Sequence, residues 1–335
     1  MKRSIMSSPL QIAPLSRIDR LSVAAFREQY QRHAKPVVIT NALSWPALGL
    51  WTHQWFRDQF GSLEVELSVN PTHTYKTVKM RLGAYINRIL ANDRMSGGLY
   101  LDQFPLERLP TLHRDFSVPA YCAPDKQITT HLWLGPSTTI LGFHKDNHDP
   151  LIQIDNIFVQ IFGRKRVLLA SPDNDTFMYP RSPDSGAYWH SQVDPDAPDL
   201  ERFPLFSRAH LQEAIVGPGD ILYIPRNYWH RVQALERSIS MSFWWLPCRL
   251  MEIAEQIVST KDEHLDGLAA VESYRVSSRD IMEIGGPECF AQILAAFPDI
   301  SLMQRLCRGL RLLADEQACA LIDSALQGCI SNAHQ

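Results

Sequence analysis

Hydrophobic and polar positions change rhythm twice along the chain. In LSVAAFREQYQRHAKP (21–36), Leu21, Ala24, Phe26 and Tyr30 recur at helical spacing, and Pro36 closes the segment. VVIT (37–40) reads as a short buried strand, and WTHQWFRDQFG (51–61) as a helix with Gly61 beyond its end. LEVELSV (63–69) alternates as a strand does, and RLGAYINRILAND (81–93) is helical. Residues 1–17 read as an extended or loose lead. Between about 128 and 246 the texture becomes short β-rich runs: ITTHLWLG, STTILGFH, NIFVQIFG, KRVLLAS, DILYIP and SISMSFWW. Turns rich in Pro, Gly, Asp and Asn separate them, which predicts a sandwich or barrel. A jelly roll is the natural closed form for this number of strands. After Pro247 the 3.6-residue period returns in CRLMEIAEQIVSTK, PECFAQILAAF and SLMQRLCRGLRLLADEQACALIDSALQGC. The expected organisation is mainly β with flanking helices. An N-terminal α/β region over 1–127 packs on a jelly-roll core over 128–247, and a helical appendage covers 248–335.

A length of 335 residues at 45% hydrophobic composition is enough to bury a large core. The net charge of −3 gives no footprint of an electrostatic nucleic-acid binder, so no nucleic acid is expected as a partner. The apolar runs stop well short of the ~18 residues a membrane helix needs. MKRSIMSSPLQIAPLSR has early cations but no continuous apolar stretch, so neither a membrane span nor a secretory signal is expected. Cys122, Cys248, Cys289, Cys307, Cys319 and Cys329 are scattered without a C-x-x-C pair, which predicts reduced thiols and a cytoplasmic location.

Candidate chemistry centres on FHKDNHDPLIQIDNIFVQIFGRKRVLLASP (143–172). A His-x-Asp pair on one strand, His144 and Asp146, puts both side chains on one face. His230, in GPGDILYIPRNYWHRV, is the candidate third ligand. Two imidazoles and one carboxylate make the facial triad of non-haem Fe(II) oxygenases. Lys165 follows on the next run, where a lysine pointing into a barrel is costly unless it meets an anion. It suits the far carboxylate of a dicarboxylate cosubstrate, while Arg164 and Arg166, of opposite parity, face away. Taken singly, each feature has an ordinary reading: a surface pair, a packed histidine, a solvated strand end. Their order within one β-rich region is what carries the metal reading.

These residues resemble the JmjC-type, cupin-fold 2-oxoglutarate oxygenases, most closely the hydroxylase branch that includes the factor-inhibiting-HIF asparaginyl hydroxylase. The resemblance runs through His144-Lys145-Asp146, DNIFVQIFGRKRVLLASP (155–172), SQVDPDAPDLERFPLF (191–206), GPGDILYIPRNYWHRV (217–232) and SISMSFWW (238–245), with LYLDQ (99–103) and KPVVIT (35–40) before them. It implies Fe(II) held by His144, Asp146 and His230. It implies 2-oxoglutarate held by Lys165 and the Tyr100 hydroxyl, with Asn156 near the cosubstrate and Trp244 beside the metal. Three departures stand out. Residues 147–155 form a longer link, which brings His148 and Asp149 near the pair. Leu141 replaces a frequent Thr or Ser, with Thr139 as a weak substitute. Ser242 replaces an Asn on the last strand.

The implied reaction converts 2-oxoglutarate and dioxygen into succinate and carbon dioxide while hydroxylating a substrate. A peptide or protein side chain is the expected substrate, and a small molecule such as an amino acid or natural product is the alternative. Without a zinc-finger or chromatin-reader module, histone demethylation is not expected. A non-catalytic cupin acting as a metabolite sensor is the reading from another class; a third, a metal-dependent sugar isomerase of cupin fold, would need extra histidines that this chain does not offer. Leu302, Leu306, Leu310 and Leu313 form a C-terminal stripe that packs either on its own domain or, as the resemblance implies, in a homodimer built by the C-terminal helices.

Overall fold

Residues 155–162 form a strand buried along nearly its whole length in the computed structural model. The structure describes residues 10–72, 76–93, 98–123, 126, 128–146, 154–182, 185, 187, 189–246, 249–261, 264–271, 274–283, 286–295 and 300–332. Residues 147–153 of the long link after Asp146, with His148 and Asp149, therefore lie outside the described residues, as do Pro247 and Cys248.

Fourteen strands are described: β1 (Gln11–Pro14), β2 (Arg17–Asp19), β3 (Val37–Thr40), β4 (Glu64–Val69), β5 (Thr77–Arg81), β6 (Leu99–Pro105), β7 (Thr129–Gly135), β8 (Ile140–His144), β9 (Asp155–Phe162), β10 (Lys165–Ala170), β11 (His210–Val216), β12 (Ile221–Ile224), β13 (Trp229–Ala234) and β14 (Ser238–Trp245). They form a five-stranded sheet in the order β1-β11-β10-β13-β8 and a nine-stranded sheet in the order β2-β3-β12-β9-β14-β7-β6-β4-β5. This is the jelly-roll arrangement the β-rich runs predict. The tight β9–β10 turn needs Gly163, whose φ is +69° and where an added Cβ would sit 2.1 Å from the Arg237 carbonyl oxygen.

Alternation along the central strands explains where the cavity lies. Ile157, Val159 and Ile161 of β9 and Ile239, Met241 and Phe243 of β14 join a large apolar core with Phe26, Trp51, Phe56 and Ile86 from the N-terminal segments. Positions of the other parity, Asn156, Gln160, Ser238, Ser240 and Ser242, are polar and equally buried. A strand that is apolar on one face and polar on the other, yet dry on both, must turn its polar face into the space between two sheets. Phe158, Val167, Leu169 and Leu222 fill the apolar part of that interior.

The N-terminal helices form as the sequence predicts, with shifted ends. Ser22 caps α1 (Val23–Phe26) by accepting from the Ala25 N–H at 3.2 Å, and Thr52 caps α3 (His53–Phe60) by accepting from the Trp55 N–H at 3.1 Å. Between them lies α2 (Ala47–Leu50), and after them α4 (Leu82–Leu90). Beyond α1 the chain continues as a π-turn over Arg27–Gln31 rather than a straight helix. Of the two readings of the lead, the extended one holds for Gln11–Pro14: β1 pairs in parallel with β11, and β2 with β3.

By its contacts the chain divides into two compact units, Met1–Lys145 with Asp155–Arg181 and Trp189–Trp245, and Asp146–Ile154 with Ser182–Tyr188 and Leu246–Gln335. The second carries α5 (Arg249–Ser259), α6 (Leu265–Leu268), α7 (Ser278–Glu283), α8 (Gly286–Ala295), α9 (Ile300–Leu313) and α10 (Glu316–Asn332). Its core takes Leu306, Leu310 and Leu313 from the predicted stripe and packs them with Leu250, Ile257 and Ile322. Among the described residues no helix is long and apolar enough to cross a membrane.

Candidate metal centre

His144 is the last residue of β8, and pairing with β13 sets it directly opposite His230. The two rings lie 4.1 Å apart between centroids, tilted by 50°. His144 Nδ1 is 2.8 Å from the Gly142 carbonyl oxygen, and His230 Nδ1 is 3.2 Å from that of Tyr228. An Nδ1–H donated to a carbonyl leaves Nε2 as the lone-pair nitrogen, the usual preparation of a metal-binding imidazole. One ligand atom each from His144, Asp146 and His230 falls within 4.8 Å of the others. The route of Asp146 to that point differs from the expectation. β8 ends at His144, and Asp146 sits in a bend just beyond the strand, so a turn rather than strand parity aims its carboxylate. Two imidazoles and a carboxylate make a donor set that fits a divalent first-row metal with open positions.

Lys165 opens β10 and is only 2% exposed. Its Nζ donates to the Tyr100 hydroxyl at 3.0 Å and the Ser240 hydroxyl at 2.7 Å, and lies 5.2 Å above the Phe158 ring centroid. Burial lowers its pKa to about 7. Burial also raises the Tyr100 hydroxyl well above its ordinary range, with Asp102 adding to the rise. Arg164 and Arg166 do face away, pairing with Glu236 and with Asp196 and Glu213.

The other expected residues take varied places. Asn156 lies on β9 beside Trp244 of β14, and Trp244 is half-buried against His131, with 4.6 Å between ring centroids. The Ser242 hydroxyl accepts from Trp133 Nε1 at 3.0 Å. Thr139 donates its hydroxyl to the Pro136 carbonyl at 3.1 Å, while Leu141 pairs with Val232 across a slip in register. Two residues of this region escape the sequence reading. Ser240 holds Lys165, and its signal is the buried alternation in SISMSFWW. His190 stacks on His144 at 5.6 Å and 21° and bridges it as a strand neighbour. The Tyr-Trp-His tripeptide that ends on His230 also occurs at 188–190, a repeat that marks it.

A double-sheet cupin barrel with two histidines and an aspartate converging at one mouth, and a lysine within, defines the JmjC class of cupin-fold oxygenases. The family model described as a cupin-like domain matches residues 23–248, and the chain belongs to that family. It is 34% identical to the Lysine-specific demethylase 8 of Xenopus tropicalis over 67% of this chain and 51% of that protein. It is 32% identical to the Lysine-specific demethylase 8 of Danio rerio over 73% of this chain and 62% of that protein. It is also 25% identical to the human Bifunctional peptidase and (3S)-lysyl hydroxylase JMJD7, over 63% of this chain and 77% of the relative. The chain thus spans about half to two thirds of the length of the two demethylase-named relatives. The finer likeness to the asparaginyl hydroxylase branch is not specifically shown by these matches.

Proposed function

We propose that the protein is an Fe(II)- and 2-oxoglutarate-dependent dioxygenase that hydroxylates a side chain of a peptide or protein. The observation that carries this reading is the joint presence of the His144–Asp146–His230 cluster and a buried Lys165 with no acidic partner among the described residues. His144, Asp146 and His230 would hold the iron, which when bound supplies the activation of dioxygen. Lys165, Tyr100 and Ser240 offer an ammonium and two hydroxyls to the distal carboxylate of the cosubstrate. The barrel walls around them exclude water. The balanced reaction takes 2-oxoglutarate, dioxygen and a C–H bond to succinate, carbon dioxide and C–OH.

The relative named as a lysyl hydroxylase supports oxygen insertion on a protein residue. The relatives named as lysine-specific demethylases favour a second reading, in which hydroxylation of an N-methyl group is followed by its loss. Incubation with Fe(II), 2-oxoglutarate and peptide libraries, methylated and not, followed by mass spectrometry, separates them. A one-oxygen gain supports the hydroxylase, and loss of a methyl group replaces it with the demethylase. Succinate release that is independent of any peptide and rises with free amino acids points to a small-molecule substrate. Binding of 2-oxoglutarate without succinate release under all these conditions overturns enzymatic function in favour of a metabolite sensor.

A further inference from the structure

We propose that Asp175 is a positioning residue for the metal site, clamping from outside the barrel the two strands that carry His144 and His230. The inference rests on the metal reading above. Lys145 stands between His144 and Asp146 in sequence and turns its side chain to the outer face of the five-stranded sheet. There its Nζ lies 2.8 Å from Asp175 Oδ1 and 2.9 Å from Oδ2. It also lies 4.9 Å above the ring centroid of Trp229, the immediate neighbour of His230. Trp229 Nε1 donates to the same Asp175 Oδ1 at 2.6 Å. One carboxylate thus receives hydrogen bonds from the outward neighbours of both histidine ligands.

The backbone shows why such a tie matters. The β8–β13 ladder pairs His144 with His230, then slips, so that Leu141 rather than Gly142 faces Val232. A bulge beside the ligand pair loosens the register that sets the spacing of the two imidazoles. The clamp sits on the other side of the ligand pair from that slip, at Lys145 and Trp229, so the pair is held from the side where the ladder is not disrupted. Asp175 belongs to the 3-10 turn Pro172–Phe177 that follows β10, and the last residue of β10, Ala170, pairs with Trp229. Trp229 is 2% exposed and packed with Phe143, Leu168 and Met178, so its indole is a rigid lever on His230. The Lys145 side chain is 14% exposed and that of Asp175 52%. A carboxylate that open to solvent adds little to folding through charge alone. Its contribution here is geometric, in holding two neighbours of the ligands to one point.

The test titrates the full chain, stripped of metal, with Co(II) and follows visible absorption in wild type, Asp175→Ala, Asp175→Asn and Lys145→Met. Loss of a hydrogen bond that orients a metal ligand typically weakens metal binding by about ten- to hundredfold. Because Asp175 acts one residue removed, the Co(II) Kd of Asp175→Ala should rise about tenfold, with a shifted ligand-field band and an unchanged melting midpoint of the metal-free protein. Wild-type Kd and band position in Asp175→Ala overturn the proposal. Absence of Co(II) binding by wild type overturns the metal reading beneath it. If Asp175→Ala does not fold, Asp175→Asn and Lys145→Met decide, and wild-type affinity in both overturns the clamp.

Discussion

The Lys165 ammonium reaches across the barrel to donate to the Tyr100 hydroxyl at 3.0 Å, tying β10 of one sheet to β6 of the other. A second donation, to Ser240 at 2.7 Å, leaves the nitrogen with one further N–H. Two neutral hydroxyls solvate a buried cation poorly compared with a carboxylate. Under the proposed function, the distal carboxylate of the cosubstrate would supply the anion that this buried ammonium otherwise lacks.

Lys165→Met should separate those two consequences. A hydrogen bond to a charged partner contributes about 1.5–3 kcal/mol, so the KM for 2-oxoglutarate should rise roughly ten- to hundredfold. The cosubstrate-free variant should melt at a higher temperature than wild type, because methionine fills the volume without a desolvated charge. Succinate assays and thermal melts check both. An unchanged KM would remove Lys165 from the cosubstrate site.

The same lysine predicts a pH dependence. Its pKa in the folded protein is about 7 against an ordinary value of 10.5. Above about 7 the native state has released a proton that the unfolded chain still holds, so the cosubstrate-free protein gains stability as pH rises from there towards 10.5. Binding runs the other way. A dianion needs the ammonium, so 2-oxoglutarate affinity should be full below about pH 7 and fall by up to tenfold per pH unit above it. Calorimetric titration at a series of pH values reads this, and Lys165→Met should abolish the slope.

Gly135→Ala addresses Tyr100 instead. A Cβ at this position on β7 would lie 2.7 Å from Tyr100 Cδ2 and 2.9 Å from Thr139 Oγ1. Tyr100 is buried and packed near Trp133 at 5.9 Å between ring centroids, so the ring must shift from the position in which its hydroxyl meets Lys165. The expected cost is about 1–3 kcal/mol of stability, with a several-fold higher KM for 2-oxoglutarate and unchanged iron affinity. A higher KM accompanied by lost iron binding would instead indicate general collapse of the barrel.

Much of this site is legible in the sequence because strands obey a period of two. SISMSFWW and DNIFVQIF announce two buried faces of different polarity, and Lys165 sits on the interior parity. What escapes has distant partners. β1 and β2 are four- and three-residue segments, QIAP and RID, whose hydrogen bonds come from β11 and β3. A strand that short carries no pattern of its own. His190 is placed by backbone bonds from Ser191 to Phe143 and from Lys145 to Trp189, which no local spacing encodes. Asp175 is an exposed acid in a turn, and only its two partners give it meaning.

The ligand assignment itself is tested by His144→Ala and Asp146→Ala. Neither residue belongs to an apolar core, and His144 takes its ring contacts from His190 and His230. Removing either side chain should therefore leave the metal-free barrel folded, with a melting midpoint within a few degrees of wild type, as expected for a change of about 1 kcal/mol. Two remaining donors do not make a closed set for iron, so metal content should fall and succinate release should vanish. Among the described residues, His190 is the one further imidazole stacked on His144, and its presence makes the His144 variant the more demanding test. If His190 substitutes as a ligand, His144→Ala retains iron while Asp146→Ala does not, and His144→Ala combined with His190→Ala then loses it. Full turnover in either single variant, after stripping and reloading with Fe(II), would refute the triad.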